Sequence, residues 1–176
     1  MLNLKPIIHA ILKTYTLPWH GTHGVGHWAR VLENGLRLAQ DTNANIEVVQ
    51  LFAIFHDARR VNENIDDGHG KRGAELAAKL RGMFSLSDQD FDLLYVACAD
   101  HTEGKTDGDI TVQTCWDADR LDLGRVRMTP EQTKLCTTAA KDPTIMKWAD
   151  GRACFSVVPE LVKIEWGIEM KGMTRG

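Results

Sequence analysis

An apolar run ends in a histidine–aspartate doublet at Phe52-Ala53-Ile54-Phe55-His56-Asp57. Val49, Phe52 and His56 are spaced as residues on one face of a helix, so the histidine lies on the stripe that faces the core. A buried imidazole needs a partner, and imidazole together with carboxylate is a common donor set for divalent metals. The run therefore predicts a core helix that carries a polar, ligand-capable end.

Helical periodicity continues on both sides of this run. It predicts helices over residues 3–15, 25–40, 46–60, 69–82, 88–101 and 110–122. The pattern is weaker over 131–140, 143–150 and 157–171, although Val157, Leu161, Ile164 and Ile168 make an apolar stripe in the last of these. We therefore expect an all-α fold, a single compact bundle of about seven to nine helices. Residues 1–125 would form its core, and 126–176 a helical extension packed on the same domain.

Composition excludes several classes of protein. The chain has 176 residues, with 21 Lys and Arg against 24 Asp and Glu and a formal charge of −3. A weakly acidic chain lacks the basic field of a nucleic-acid or membrane-surface binder. Its apolar runs are too short to span a bilayer, and its start does not resemble a signal peptide. Four widely spaced cysteines (Cys98, Cys115, Cys136, Cys154) form no Cys-x-x-Cys motif. We expect a cytoplasmic protein with reduced thiols.

Ligand-capable side chains recur at the ends of successive helices. A lone histidine on an apolar face is usually a hydrogen-bonded core residue. Several histidines that converge with carboxylates instead indicate a divalent-metal site with mixed nitrogen and oxygen donors. The predicted ligands are His27, His56, Asp57, His69, His101 and Asp119.

Three of these motifs, in this order, resemble the HD-domain superfamily of metal-dependent phosphohydrolases. They are His27 on an early helix, the doublet His56-Asp57, and Asp119 within Trp116-Asp117-Ala118-Asp119-Arg120-Leu121-Asp122. The resemblance covers roughly residues 20–125, and it favours Asp119 over its neighbours Asp117 and Asp122. It implies an HD-type helical bundle that holds one or two divalent ions, of Mn, Fe, Mg, Co, Ni or Zn.

Two further positions are similar to the HD-GYP branch of that superfamily. His69 begins a helix and is followed by a Gly-Ala step at Gly73-Ala74, and His101 follows Asp100 where that branch supplies another histidine. These positions imply a second metal, bridged by Asp57. The Gly-Tyr-Pro signature of the branch is missing, and a single histidine stands at 101 where the branch has two. Small bacterial HD proteins with a similar Asp-Ala-Asp-Arg-Leu-Asp run use a single metal, so the number of ions stays open.

The resemblance implies hydrolysis of a phosphoester or phosphoanhydride of a small metabolite, most simply a nucleotide, by a metal-activated water. Asp57 and His101 are the candidate catalytic residues. Glu63, Asp66 and Asp67 are further candidates to orient the water. Substrate phosphate would be bound by cations that flank the ligand motifs: Arg30, Arg60 and Lys71.

Two other interpretations remain open at this stage. A few members of the superfamily are di-iron oxygenases, and His69 and His101 are compatible with two irons. A non-catalytic module that binds metal or nucleotide is the other. Trp28 and Trp116, each beside a proposed ligand, would be core residues or would stack on a base. The stripe over 157–168 would fold back on the domain or form a homodimer contact.

Overall fold

The computed structural model describes residues 2–170, and this range contains helices, turns and loops but no strand. Three 3₁₀ turns, Arg81–Met83, Leu123–Val126 and Gln132–Lys134, interrupt the connections. The all-α expectation is thereby confirmed. The eight α-helices are α1 (Lys5–Leu12), α2 (Val25–Thr42), α3 (Ile46–Phe55), α4 (His69–Lys79), α5 (Asp88–Asp100), α6 (Ile110–Arg120), α7 (Pro143–Cys154) and α8 (Leu161–Ile164).

Polar side chains cap the N-terminal ends of four of the helices. Asn45 precedes α3 and accepts hydrogen bonds from the backbone N–H groups of residues 47 and 48. Ser87, Asp109 and Asp142 do the same at the starts of α5, α6 and α7. Each cap satisfies backbone donors that have no partner inside the helix. Prolines stand in the first turns of α1 and α7, where a missing N–H costs nothing.

Helix α3 lies at the centre of the bundle. It packs against α2, α4, α5 and α6, and all its residues from Val48 to Phe55 are buried. Burial of each large apolar side chain contributes about 1.5–3 kcal/mol, so α3 is fixed by its surroundings on every side. Gly35 of α2 allows this packing, because a Cβ there would lie 2.5 Å from Val49. The C-terminal end of α3 therefore delivers His56 and Asp57 to the middle of the molecule.

Two weak helical predictions are wrong in part. Residues 131–140 form only the turn Gln132–Lys134, because the buried Asp117 accepts hydrogen bonds from the backbone N–H groups of Cys136 and Thr137 and holds them in an irregular segment. The predicted helix over 157–171 is reduced to Leu161–Ile164, and residue 171 lies outside the described residues.

The proposed apolar stripe over 157–168 is wrong in part, since Ile168 is buried and Leu161 packs against the core, but the other two members are exposed. Ile164 is 73% exposed and Val157 39% exposed. The buried side chains are Val162, Trp166 and Ile168, because the chain turns after one helical turn and Gly167 adopts a positive φ of 65°. This segment folds back on the bundle, with α8 against α2 and the Trp166 carbonyl near the His9 ring.

The C-terminal part also packs through α7, which lies against α2 and the turn Leu123–Val126. The division of the chain near residue 125 stays a prediction. Within the described range, none of the helices is both long and apolar enough to cross a membrane.

Candidate metal centre

Six side chains from five parts of the chain meet in the interior of the bundle. His27 lies in the first turn of α2, His56 and Asp57 follow α3, His69 begins α4, and His101 and Asp119 lie at the ends of α5 and α6. They form two groups of three, in each of which one donor atom per residue lies within 4.8 Å of the others. The first group is His27, His56 and Asp119; the second is Asp57, His69 and His101.

Asp57 lies between the two groups and faces both. Its Oδ2 is 3.4 Å from His27 Nε2 and 3.8 Å from His56 Nε2. Its Oδ1 is 3.0 Å from His69 Nε2 and 3.6 Å from His101 Nε2. Asp119 Oδ1 completes the first group, at 3.4 Å from His27 Nε2. A single carboxylate thus presents one oxygen to each set of imidazoles, as a bridging ligand would.

Hydrogen bonds on the far side of each ring fix the tautomer of all four histidines. His56 Nδ1 donates to the carbonyl of residue 52, His69 Nδ1 to that of residue 66, and His101 Nδ1 to that of residue 98. His27 Nδ1 donates to Asp122 Oδ2 at 2.7 Å. Carbonyl and carboxylate oxygens only accept, so each Nδ1 carries a proton, and each ring in its neutral form offers the Nε2 lone pair. This is the arrangement expected of metal-binding histidines.

The donor atoms suit a cation, and two of the carboxylate oxygens otherwise lack hydrogen-bond partners. Arg60 Nη1 lies 3.1 Å from His69 Nε2. His27 Nε2 and His56 Nε2 are 3.0 Å apart, as are His69 Nε2 and His101 Nε2. Two lone pairs facing each other at that distance repel unless a cation lies beside them. Oδ1 of Asp57 and Oδ1 of Asp119 are buried without a hydrogen-bond partner, which is costly in a protein interior. The residues present therefore fit a centre of one or two divalent ions with nitrogen and oxygen donors.

The electrostatics of the metal-free protein agree with this chemistry. Burial lowers the pKa of His56 to about 3, so its ring is neutral at pH 7. Burial alone would raise the pKa of Asp57, but His56 and the close contacts with the other three rings lower it well below its usual value. For Asp119, burial again opposes ionisation, and Arg125 and the nearby histidines outweigh it and lower the pKa. Both carboxylates are therefore ionised.

His101 behaves differently from His56. Burial lowers its pKa, but the Asp57 carboxylate, with Oδ1 at 3.6 Å from Nε2, and the charge of Asp119 raise it by more, so the net shift is upward. In the metal-free protein this imidazole is the one that favours a proton beside Asp57. A cation in the second group would take the place of that proton.

Asp122 and Arg30 support His27 from behind. Arg30 donates from Nε to Asp122 Oδ1 at 2.7 Å and from Nη2 to Oδ2 at 2.9 Å, while Oδ2 also accepts from His27. Arg30 is 4% exposed and Asp122 is fully buried. Burial would raise the pKa of Asp122, but His27 and Arg30 lower it. The bidentate pair locks the carboxylate, which in turn orients the imidazole.

Two other arginines lie directly against the carboxylates of the centre. Arg60 Nη1 is 3.6 Å from Asp57 Oδ1, and Arg125 Nη2 is 3.6 Å from Asp119 Oδ1. Nε of Arg125 is buried without a partner. Arg125 also lines a polar cavity of about 110 Å³, together with His27. Arg60 also donates to the carbonyls of residues 62 and 64. The centre thus lies next to two positive charges, of which Arg125 retains a donor without a partner.

The structure brings together all six predicted ligands, whose role as ligands stays a prediction. Of the predicted substrate-binding residues, Arg60 lies at the centre and Lys71 is exposed on α4. Arg30 directs its donors to Asp122 and to the Val157 carbonyl at 3.0 Å. A phosphate-binding role for Arg30 and Lys71 remains untested.

The three candidates for orienting a water differ in their placement. Glu63 Oε2 accepts from His23 Nδ1 at 2.6 Å, and burial is the main reason that the pKa of His23 is lowered. Asp66 is buried and accepts from the Val61 backbone N–H at 2.7 Å and from an arginine on α4, and Asp67 is exposed. Trp28 and Trp116 are both buried in the core, where they are not available to stack on a base.

Sequence reasoning missed Arg125. This residue follows the Asp-Ala-Asp-Arg-Leu-Asp run by three positions, and its turn, Leu123–Val126, returns it to Asp119. By sequence Asp122, which flanks Asp119, is a candidate to support a ligand or to cap the helix, and spacing alone leaves its role open. The structure places it behind His27 as a supporting group.

The fold and the centre together define an all-α protein with a buried histidine–aspartate metal site. A family model described as HD domain matches residues 24–124, more than half of the chain, and the chain therefore belongs to the HD domain family. The HD domain implies the superfamily of metal-dependent phosphohydrolases, whose members bind divalent metals. Neither a search of curated proteins nor one of solved structures gives a significant match.

Proposed function

We propose that this chain is a phosphohydrolase that uses two divalent cations to cleave a phosphoester or phosphoanhydride of a small metabolite, with a nucleotide as the favoured class. The observation that carries the proposal is the position of Asp57, whose two oxygens face two separate histidine groups. When bound, divalent cations there would supply acidified water and withdraw charge from a phosphoryl oxygen. Asp57 and Asp119 hold the negative charge that retains cations, and the four imidazoles add neutral donors.

The cations of the protein itself favour an anionic substrate. Arg60 and Arg125 approach the centre from opposite groups, each 3.6 Å from a ligand carboxylate. Guanidinium groups bind phosphate oxygens in pairs, Nε of Arg125 has no partner, and Arg125 lines a small cavity beside His27. These arginines would orient the phosphoryl group and bear the charge that accumulates on its oxygens. An oxygenase with an uncharged organic substrate has no use for them.

The test is phosphate release from a panel of nucleotides, sugar phosphates and pyrophosphate with Mn²⁺, Mg²⁺, Co²⁺ and Zn²⁺ in turn. We expect Asp57→Asn to lower turnover at least about 100-fold, because metal assistance contributes several kcal/mol to such reactions. Metal content should fall from two ions per chain to one or fewer. Asp88→Asn, at a fully exposed surface carboxylate, is the matched control. Undiminished phosphate release in the folded Asp57→Asn variant would refute the proposal, whereas iron binding with oxygen consumption would favour the oxygenase.

A further inference from the structure

A second cavity adjoins the centre on the side of His101. It has a volume of about 160 Å³, and its wall is mostly apolar, formed by Leu123, Met128, Pro130 and Leu135 together with His101. His101 belongs both to this wall and to the group that faces Asp57 Oδ1. The cavity is therefore adjacent to the centre. Most of its apolar wall comes from residues after 124, beyond the part of the chain that the HD family shares.

The wall of this cavity is held in place by hydrogen bonds. Arg120 donates to the carbonyls of Lys105 at 2.6 Å and Lys134 at 2.8 Å, and so ties together segments on two sides of the cavity. Asp117 fixes the chain just after Leu135 through two backbone N–H groups. Leu135 itself is 1% exposed. A cavity with such anchors is formed before a ligand arrives, as is usual for small-molecule sites.

Charged groups near the cavity are already paired. Arg120 uses its guanidinium on backbone carbonyls, and Lys134 pairs with Glu131 at 3.0 Å. His101 directs Nδ1 to the carbonyl of residue 98. The cavity thus offers apolar contact and little to bind a charge, in contrast to the polar cavity beside His27 and Arg125. The centre therefore has one neighbouring cavity lined by arginine, which suits an anion, and one that is mostly apolar.

We propose that the cavity beside His101 is the specificity pocket of the site, and that it holds a single uncharged ring, or an apolar group of similar size, attached to the phosphoryl group. This proposal rests on the proposed function, which places a phosphoryl group at the centre. The volume of the cavity limits the size of the group that it can hold, because a cavity of about 150 Å³ accepts benzene, whereas whole drug-sized ligands need about 300 Å³ or more. A one-ring organic group fits, and a fused two-ring group does not. Among nucleotides, a pyrimidine base satisfies this limit better than a purine.

Three non-hydrolysable phosphonates test the proposal by binding, independently of turnover. Methylphosphonate, phenylphosphonate and 1-naphthylphosphonate are titrated calorimetrically into the Mg²⁺-loaded protein. We expect phenylphosphonate to bind about tenfold more tightly than methylphosphonate, because it buries one ring, and 1-naphthylphosphonate to lose that gain. In ¹³C-methyl spectra the Met128 signal should shift with phenylphosphonate and stay unchanged with methylphosphonate. Equal affinities for all three compounds, or an unshifted Met128 signal, would overturn the proposal.

Substitutions at Met128 test whether the preference for one ring arises in this cavity. Met128 is 56% exposed, so it tolerates replacement without loss of the core, and Met83, 43% exposed on the turn after α4, is the matched control. Met128→Trp should narrow the pocket and abolish the preference for the phenyl compound, and Met128→Ala should admit the naphthyl compound. Met83→Trp should preserve the wild-type order. A ring preference that is the same in both Met128 variants as in the wild type would place the ring elsewhere.

Hydrolysis of the corresponding esters separates this proposal from the proposed function. Phenyl and 1-naphthyl phosphate, whose phenolic leaving groups are of similar acidity, are compared for phosphate release by the metal-loaded enzyme. Release at equal rates from both would leave the phosphohydrolase and refute the pocket. A ring preference in phosphonate binding without release from any ester would leave the pocket and refute the phosphohydrolase.

Discussion

Replacement of Asp122 by asparagine removes the negative charge from a buried hydrogen-bonded network of Arg30, Asp122 and His27. Arg30 donates to both Asp122 oxygens, and His27 Nδ1 donates to Oδ2. Asparagine has nearly the same size but cannot balance a guanidinium that is 4% exposed. Loss of one partner of a buried ion pair costs about 3–5 kcal/mol. Because the Val157 carbonyl still accepts from Arg30, we expect the lower value, a loss of about 3 kcal/mol in unfolding free energy.

A double-mutant cycle isolates this interaction. Arg30→Met leaves the fully buried Asp122 without the guanidinium that pairs with both of its oxygens, so it should also destabilise the protein strongly. The double variant Arg30→Met/Asp122→Asn contains no unpaired charge. Its loss should therefore be smaller than the sum of the two single losses by about 2 kcal/mol, within the range for groups in one network. Metal affinity should fall about 10- to 100-fold in Asp122→Asn, since His27 loses its anionic support.

The assay is urea unfolding of chelator-treated protein, followed by calorimetric titration with Zn²⁺. Asp88→Asn breaks an ion pair between the same residue types, Arg81 and Asp88, but at the surface, and should change little. Additive losses in the cycle, or an Asp122→Asn protein as stable as the Asp88→Asn protein, would refute the assignment of Asp122 as the anion that holds Arg30 and His27.

Three further predictions concern stability and metal binding. Chelator-treated protein should lose stability as the pH falls from 6.5 towards 3. Burial lowers the pKa of His56 to about 3, so in this pH range His56 takes up a proton only in the unfolded chain. A urea midpoint that is constant over pH 6.5–4.5 would contradict this. Asp117→Ala should lower the unfolding free energy by about 3 kcal/mol, since it removes three hydrogen bonds to a buried carboxylate. Asp119→Ala should instead chiefly abolish metal uptake, because Asp119 Oδ1 has no hydrogen bond to lose. Loss of stability in Asp119→Ala together with loss of metal in Asp117→Ala would exchange the two roles. Gly73→Ala should cost about 1–3 kcal/mol, because its Cβ would lie 2.3 Å from a carbonyl oxygen at the end of α3, while Gly82→Ala has open space around it; equal melting temperatures would show that α4 can shift.

The sequence was sufficient to predict the helical core and the six residues that gather in it. Local periodicity identified α2, α3, α5 and α6, because each has a strong apolar face and a clear start. The doublet His56-Asp57 ends the most apolar helix, so its inward direction followed from spacing alone. Resemblance to the HD superfamily then selected Asp119, which periodicity could not distinguish from Asp117 or Asp122.

Other features depend on contacts between residues far apart in the chain. Arg30 and Asp122 pair although 92 positions separate them, and no local pattern reveals such a partner. The C-terminal stripe failed in part for a similar reason. Val162, Trp166 and Ile168 are buried by contact with the bundle rather than along one helical face, so the regular spacing of Val157 and Ile164 was misleading. Segments that tertiary packing holds in irregular conformations escape periodicity by their nature.

The four charged groups in contact at the centre cancel in number. Asp57 is opposed by Arg60 and Asp119 by Arg125. Any divalent cation that enters leaves this interior with surplus positive charge, which is unfavourable where water is scarce. An anion that arrives with it removes the surplus. By thermodynamic reciprocity, the bound anion should raise the affinity for the metal ion by the same factor by which the metal ion raises the affinity for the anion. The protein would then bind its metal more tightly in phosphate than in chloride, and would release a phosphate product slowly.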